Sequence, residues 1–182
     1  MSLGKSVKLQ LNNAIRMIQM IQSVKNSLIF VVEDNIMFLR LIKFQLQNKG
    51  YSNIKLSSNG TECVNNINQN PDIVILDYSL GDMTGLDVLK KIRDKSPKSK
   101  VIMLSEQKSI ETTVKILKLG VNEYIVKNNY LALKKLTRTI RYLLLKKLSR
   151  KKRKNFNITI SVFFVLVLIL ATFFYFGPKI FG

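Results

Sequence analysis

Residues 28–35 have the sequence LIFVVEDN, in which an uninterrupted apolar run leads directly into Glu33 and Asp34. A short run of this kind is typical of a strand that is buried on both faces of a sheet. Apolar residues then recur at helical spacing from Ile36 to Asn48. The stretch therefore predicts a buried strand, then two carboxylates, then a helix.

The same alternation continues along the next hundred residues. Apolar runs predict further strands at 54–56, 73–76, 101–104 and 123–126, and helical patterns lie at 61–69, 86–94, 110–119 and 130–148. Strands that alternate with helices indicate an α/β domain with a parallel sheet covered on both faces. In such folds the functional site lies beyond the carboxyl ends of the strands.

Polar side chains follow four of the five predicted strands. Glu33 and Asp34 follow the first strand, Asp77 the third, Ser105 the fourth and Lys127 the fifth. Clustered carboxylates repel one another, and a hard divalent cation such as Mg2+ removes that conflict. A carboxylate beside the metal can attack a phosphoryl group, while an ammonium and a hydroxyl bind the remaining oxygens. The residues alone suggest phosphoryl transfer to an aspartate.

Residues 27–148 resemble the receiver domain of two-component response regulators. The sequence VVEDN at 31–35 is similar to the acidic-pair motif of that family, and Asp77 stands at the place of its phosphoacceptor. The resemblance implies a flavodoxin-like, doubly wound, five-stranded parallel sheet with strand order 2-1-3-4-5. It also implies Mg2+ as cofactor, bound directly by Asp34, through water by Glu33 and by the backbone carbonyl of Ser79, with Asp77 as a further residue of the metal site.

The resemblance further assigns a role to each remaining residue of the site. Asp77 would accept the phosphoryl group from a histidine kinase or a phosphotransfer protein. Ser105 would be the switch hydroxyl, Lys127 the phosphate-binding lysine and Tyr124 the aromatic residue that reorients on activation. Such a domain assists its own phosphorylation and hydrolysis and is otherwise not an enzyme. Packing alone is the other interpretation of Tyr124.

Three positions depart from the family's usual pattern. Gly81 stands where a proline is usual, Glu106 where a small residue is usual, and Asn128 where proline usually follows the lysine. None of these changes removes a reacting group. They leave open a second hypothesis, in which the domain is a phosphorylation-independent pseudo-receiver that acts as a scaffold.

The composition of the 182 residues excludes several other classes of site. The chain has no histidine, which excludes a phosphohistidine, an imidazole base and a histidine-ligated metal. Its single cysteine, Cys63, excludes an intramolecular disulfide and a cysteine-rich zinc site. There are 30 Lys and Arg against 11 Asp and Glu, for a formal charge of +19, and every acid lies between Glu33 and Glu123.

The C-terminal region combines a basic run with an apolar run. Residues 149–154 are strongly basic, and 155–178 contain no charged residue. A helix over 158–176 would measure about 28 Å, close to the hydrocarbon thickness of a bilayer. We therefore predict a basic juxtamembrane segment at 149–154 and a transmembrane helix at 155–178.

The charge on either side of this helix predicts its orientation. The positive-inside rule places the basic side, and the receiver domain with it, in the cytoplasm of a single-pass protein of the cytoplasmic membrane. The implied partners are membrane lipid and another membrane protein or a second copy. A nucleic-acid-binding arm is the competing, weaker explanation of the basic run.

Residues 1–26 form a basic leader without an acid. Val7, Leu11, Ala14, Ile15 and Ile18 recur near helical spacing. A basic amphipathic helix of this kind can pack on the domain, pair with a partner or lie on a membrane. The sequence does not decide among the three.

Overall fold

The computed structural model describes residues 3–106, 110–127 and 130–180. Within these ranges it describes the backbone alone for residues 3–5, 110–112, 115, 130, 151–157, 163 and 167–180. The chain divides into two compact units, residues 1–144 and residues 145–182.

The first unit contains one sheet of five parallel strands in the order β2-β1-β3-β4-β5. The strands are β1 (Ile29–Val32), β2 (Ile54–Ser57), β3 (Ile73–Asp77), β4 (Lys100–Ser105) and β5 (Glu123–Val126). The predicted flavodoxin-like architecture and strand order are confirmed. Every residue of β1 and β3 is buried, as expected for central strands of a sheet covered on both faces.

Six α-helices accompany the strands within the described ranges. They are α1 (Leu3–Lys25), α2 (Ile36–Asn48), α3 (Gly60–Asn66), α4 (Gly85–Lys95), α5 (Ile110–Lys118) and α6 (Tyr130–Ile180). The helix predicted over 61–69 is instead α3 and a 3-10 turn, Ile67–Gln69, which ends at Asn70 in the left-handed region (φ 53°). The backbone of α6 is one helix, and the sequence had left its continuity open.

Side-chain caps fix where three of these helices begin. Asn35 accepts a hydrogen bond from the backbone N–H of Phe38 at 3.0 Å, which starts α2 directly after the acidic pair. Asn59 accepts from Glu62 N at 2.8 Å at the start of α3. Thr84 caps α4 in the same way. Each cap satisfies an N–H group that the helix itself leaves unpaired.

The core on one face of the sheet is built from alternate strand residues. Phe30, Val74, Leu76, Val101 and Met103 are fully buried and belong to one cluster with apolar side chains of α3 and α4. The intervening strand residues, such as Ile29 and Ile75, are equally buried. This packing holds the carboxyl ends of the strands in fixed positions, and the site lies at that edge.

The structure does not support the predicted transmembrane helix at 155–178. Within the described part of the chain, no helix is both long enough and apolar enough to span a bilayer. Most side chains of this segment, those of 155–157, 163 and 167–178, lie outside the described residues.

Candidate functional site

The register of the sheet brings the predicted site residues to one edge. Leu76 is opposite Val32, so Glu33 and Asp77 leave adjacent strands at the same level. Ser105 is opposite Val126, and Lys127 follows directly. Four residues separated by up to 94 positions therefore meet at the carboxyl edge of the sheet, as the sequence predicted.

Three carboxylates cluster there. One carboxylate oxygen from each of Glu33, Asp34 and Asp77 lies within 4.8 Å of the others. Glu33 and Asp77 are buried, with 1% and 4% of their surface exposed, whereas Asp34 is exposed to solvent. The cluster therefore has a buried floor and one side open to solvent.

Lys127 bridges the two buried carboxylates. Its Nζ atom lies 2.7 Å from Glu33 Oε2 and 2.9 Å from Asp77 Oδ2. The same ammonium lies 5.1 Å from the ring centroid of Phe38, near the start of α2. The sequence assigned Phe38 only to the apolar pattern of a helix, and the cation–π contact that positions Lys127 was missed.

Burial and pairing shift the pKa values of this triad. Burial raises the pKa of Asp77, and Lys127 offsets part of that rise. Burial likewise raises the pKa of Glu33, against the opposing effect of Lys127 and with a further contribution from the Asp77 charge. Burial alone lowers the pKa of Lys127, but the bonds to Asp77 and Glu33 and their charges together raise it. The ammonium therefore remains charged between its two partners.

The donor set fits a hard divalent cation. Glu33 Oε2 is buried and has no hydrogen-bond partner beyond the Lys127 ion pair, among the residues that the structure describes. Asp34 contributes a third oxygen from the open side, and all three ligands are of the type that Mg2+ prefers. Ser79 lies in the exposed loop after β3, where an isolated bridge pairs it with Thr84.

Two further predicted residues lie at this edge with less direct evidence for a role. Ser105 is 1% exposed, and its carbonyl accepts a hydrogen bond from Lys127 N at 2.7 Å. Tyr124 is buried in the same core cluster as Met103 and Ile116. Its place in the core agrees with packing and leaves the predicted switching role as a proposal.

Of the three departures from the family pattern, two lie on described residues. A Cβ at Gly81 would lie 3.9 Å from Asp34 Oδ2, an ordinary contact, so nothing at this position requires glycine. Glu106 is exposed directly after Ser105. Asn128 lies outside the described residues.

Sequence reasoning missed two residues that shape the loop after β3. A Cβ at Gly85 would lie 2.3 Å from the carbonyl oxygen of Asp77, so only glycine permits α4 to start this close to β3. Asp82 binds the start of α3, where its carboxylate accepts from Gly60 N, Thr61 N and Thr61 Oγ1 at 2.7–2.8 Å. The glycines and Asp82 in residues 81–85 are typical of a turn, and this was the sequence signal that could have pointed to both residues.

The fold and site define a flavodoxin-like domain with a metal-compatible cluster of three carboxylates and a buried lysine. A model of the response regulator receiver domain matches residues 29–141, more than half of the chain. The chain belongs to this family. It is therefore a receiver domain, the phosphoacceptor of two-component signalling. Receiver domains bind Mg2+ through acidic residues and interact with histidine kinases or phosphotransfer proteins.

Individual relatives agree with this assignment. The chain is 33% identical over 103 residues to chemotaxis protein CheY1 of Helicobacter pylori, covering 54% of this chain and 83% of that protein. It is 32% identical over 100 residues to the probable transcriptional regulatory protein TcrX of Mycobacterium tuberculosis, but spans only 42% of that protein. A receiver domain structure from Methanospirillum hungatei has a TM-score of 0.63 and 25% identity, covering 69% of this chain and 98% of its own.

Proposed function

We propose that Asp77 accepts a phosphoryl group from the phosphohistidine of a kinase or phosphotransfer protein. The observation that carries this proposal is the Lys127 ammonium, which lies 2.9 Å from Asp77 Oδ2, with both side chains largely buried. The pairing opposes the rise in pKa that burial causes at Asp77, and the ammonium is in place to bind an oxygen of the incoming group.

The proposed reaction is a simple displacement at phosphorus. An oxygen of Asp77 forms the new P–O bond as the P–N bond of the donor breaks, and the leaving imidazole takes up a proton from solvent. Lys127 then exchanges part of its contact with Asp77 for a phosphoryl oxygen, and the Ser105 hydroxyl binds another. When bound by Glu33, Asp34, Asp77 and the Ser79 carbonyl, Mg2+ would neutralise charge on the phosphoryl oxygens.

The test is phosphorylation of the purified full chain by a small donor. We expect acetyl phosphate and Mg2+ to add one phosphate, detected by intact mass, and chelation of the metal to prevent it. Asp77→Asn should abolish the addition. Asp94→Asn is the matched control, because Asp94 is an exposed aspartate on α4, away from the site.

Two results decide against the proposal. Phosphate that persists in Asp77→Asn places the acceptor elsewhere. A folded wild-type chain that takes no phosphate from either acetyl phosphate or a phosphorylated phosphotransfer protein supports the pseudo-receiver scaffold instead. In that case Glu106→Ala tests whether the exposed carboxylate next to Ser105 blocks the site.

We further propose that the output is a changed protein–protein interaction at a membrane, with no enzymatic activity beyond self-phosphorylation and hydrolysis. Phosphorylation adds charge and acceptor oxygens at the carboxyl edge of the sheet. Movements of Ser105, Lys127 and Tyr124 in response would change the surface formed by α5, β5 and α6. The interaction partner would be another membrane protein or a second copy.

The membrane part of this proposal rests on the sequence. Residues 155–178 carry no charge and follow the basic segment 149–154, which places the receiver on the cytoplasmic side. Washing membranes with high salt should leave the protein in place, and detergent should release it. Release by salt alone, or an unchanged cellular response after deletion of 155–182, would contradict the anchor.

A further inference from the structure

The leader helix α1 presents an apolar face that nothing in the described structure covers. All side chains from Ser6 to Ser23 are exposed. Val7, Leu11, Ile15, Ile18 and Ile21 are 44–63% exposed, and at helical spacing they fall, with Ala14, on one stripe about 120° wide. An open stripe of this size marks a contact surface.

The C-terminal end of α1 is fixed to the receiver domain. Val24 is 5% exposed, the carbonyl of Lys25 accepts from Ser52 N at 3.4 Å, and the Lys25 ammonium lies 4.6 Å from the ring centroid of Tyr51. Of the three interpretations that the sequence left open, packing along the domain is therefore wrong for the described length of the helix. The two remaining interpretations of α1 are that it pairs with a partner or that it lies on a membrane.

The charge of α1 favours a membrane over a second copy of the chain. α1 carries Lys5, Lys8, Arg16 and Lys25, and the chain contains no acid before Glu33. Lys8 borders the apolar stripe and Arg16 lies opposite it, with Asn12 and Gln19 between them. Leu9 and Met20 are exposed on the same side as Arg16. Pairing α1 with a second copy would bring two basic helices together without an acid to neutralise either of them. A surface of anionic headgroups over an apolar layer matches both faces of the helix.

We infer that α1 is a membrane-surface helix, which lies on anionic lipid with its apolar stripe buried at the headgroup boundary. The inference is independent of phosphorylation at Asp77, because it uses only the exposure and charge of residues 3–25. Held at Lys25, the helix would orient the receiver domain against the lipid surface.

The chain itself makes a sensitive test possible. It contains no tryptophan, so Ile18→Trp and Asn12→Trp each introduce a single fluorescent reporter, one on the stripe and one on the polar face. Both variants are made in the full chain and mixed with phosphatidylcholine vesicles, with and without phosphatidylglycerol. Brominated lipids report contact between the indole and the acyl chains.

We expect the emission of Ile18→Trp to shift to shorter wavelength, and to be quenched by brominated lipid, only when phosphatidylglycerol is present. Asn12→Trp should respond much less. Exchanging Lys8 and Arg16 for glutamate in the Ile18→Trp chain should remove the shift, and so should high salt. The C-terminal segment is the same in every variant, so any binding of that segment to the vesicles is equal in all of them.

Three outcomes would overturn the inference. No shift at either position means that lipid does not cover the stripe. If the emission of Ile18→Trp shifts without vesicles, and the shift grows as the protein concentration is raised, a second copy of the chain covers the stripe. Equal quenching at both positions shows a helix that enters the bilayer rather than lying on it. None of these results bears on phosphorylation of Asp77, which is measured separately.

Discussion

The ammonium nitrogen of Lys127 lies 2.9 Å from Oδ2 of Asp77, across the edge of the sheet between β5 and β3. The two side chains are only 8% and 6% exposed. Because these charges are withdrawn from water, the Asp77 carboxylate depends on Lys127 for its stability, and the Lys127 ammonium depends on both Asp77 and Glu33. This dependence leads to the first prediction.

Lys127→Met should destabilise the fold and change its pH dependence. Removal of one partner leaves two buried carboxylates uncompensated, at a cost of about 3 kcal/mol near neutral pH. The pKa values of Asp77 and Glu33 are already raised by burial and should rise further. The folded state then binds more protons than the unfolded state, so the variant should lose stability as pH increases from 4 to 7.

Urea unfolding of both proteins across this pH range measures the effect. Mg2+ should restore more stability to Lys127→Met than to the wild type, because the metal no longer competes with the ammonium. Lys98→Met, at an exposed position, is the control and should change stability little. A variant as stable as the wild type at pH 7 without metal would contradict the account.

Gly85→Ala should be strongly destabilising, and Gly81→Ala should not. The added methyl at Gly85 would lie 2.3 Å from Asp77 O and 2.9 Å from Tyr78 Cα, both backbone atoms that cannot move alone. We expect a loss of about 3 kcal/mol, at the upper end of the usual cost of overpacking. The methyl at Gly81 meets only Asp34 Oδ2, at 3.9 Å. Paired thermal or urea denaturation compares them, and equal stability of the two variants would show that the loop relaxes freely.

Asp82→Asn should cost about 1 kcal/mol at pH 6, because asparagine keeps one accepting oxygen for the start of α3 but loses the second accepting oxygen and the charge that strengthens these hydrogen bonds. The hydrogen bond from Thr61 Oγ1, then those from Gly60 N and Thr61 N, lower the pKa of Asp82 to about 2. A lowered carboxyl pKa stabilises the fold above the unfolded-state value near 4 and loses that effect as pH falls towards 2. The stability difference between wild type and variant should therefore shrink between pH 5 and pH 2.5. A difference that is constant over this interval would show that the charge of Asp82 is irrelevant.

Cys63 should be inert in the folded protein. Its side chain is fully buried, and burial, with a smaller contribution from Glu62, raises the pKa of the thiol to about 12. At pH 8 roughly one thiol in ten thousand is then ionised, and only the thiolate reacts. An aromatic disulfide reagent should label Cys63 slowly in native buffer and rapidly in urea. Rapid labelling under native conditions would show that α3 opens locally.

The fold was largely predictable because the sequence patterns that indicate its strands and helices are local and recur along the chain. The bounds of α2 follow from the helical periodicity of 36–48 and those of β5 from the short apolar run at 123–126. Each acid or hydroxyl of the site directly follows an apolar run. Once the strands are parallel, their carboxyl ends meet at one edge, so the positions of Glu33, Asp77, Ser105 and Lys127 followed from topology. Over 61–69 the predicted helix is confirmed as α3 up to Asn66, and only its last three residues form a 3-10 turn that the sequence pattern did not distinguish.

Other features depend on contacts between distant segments and were not predictable. Asp82 is a loop residue in the sequence and becomes a cap only because α3 starts beside it. Gly85 resembles any turn glycine until β3 passes within contact distance. The ring of Phe38 under Lys127 joins residues 89 positions apart. Such relationships follow from how the layers pack.

The alternation of strands and helices, the acidic edge and the confinement of every acid to residues 33–123 could be read from residue order, because each depends on nothing else. Only the folded arrangement shows that Lys127 pairs with both buried carboxylates and that the stripe of α1 is open to solvent. The physical reason is that burial and pairing depend on distances across the fold, which residue order alone does not set.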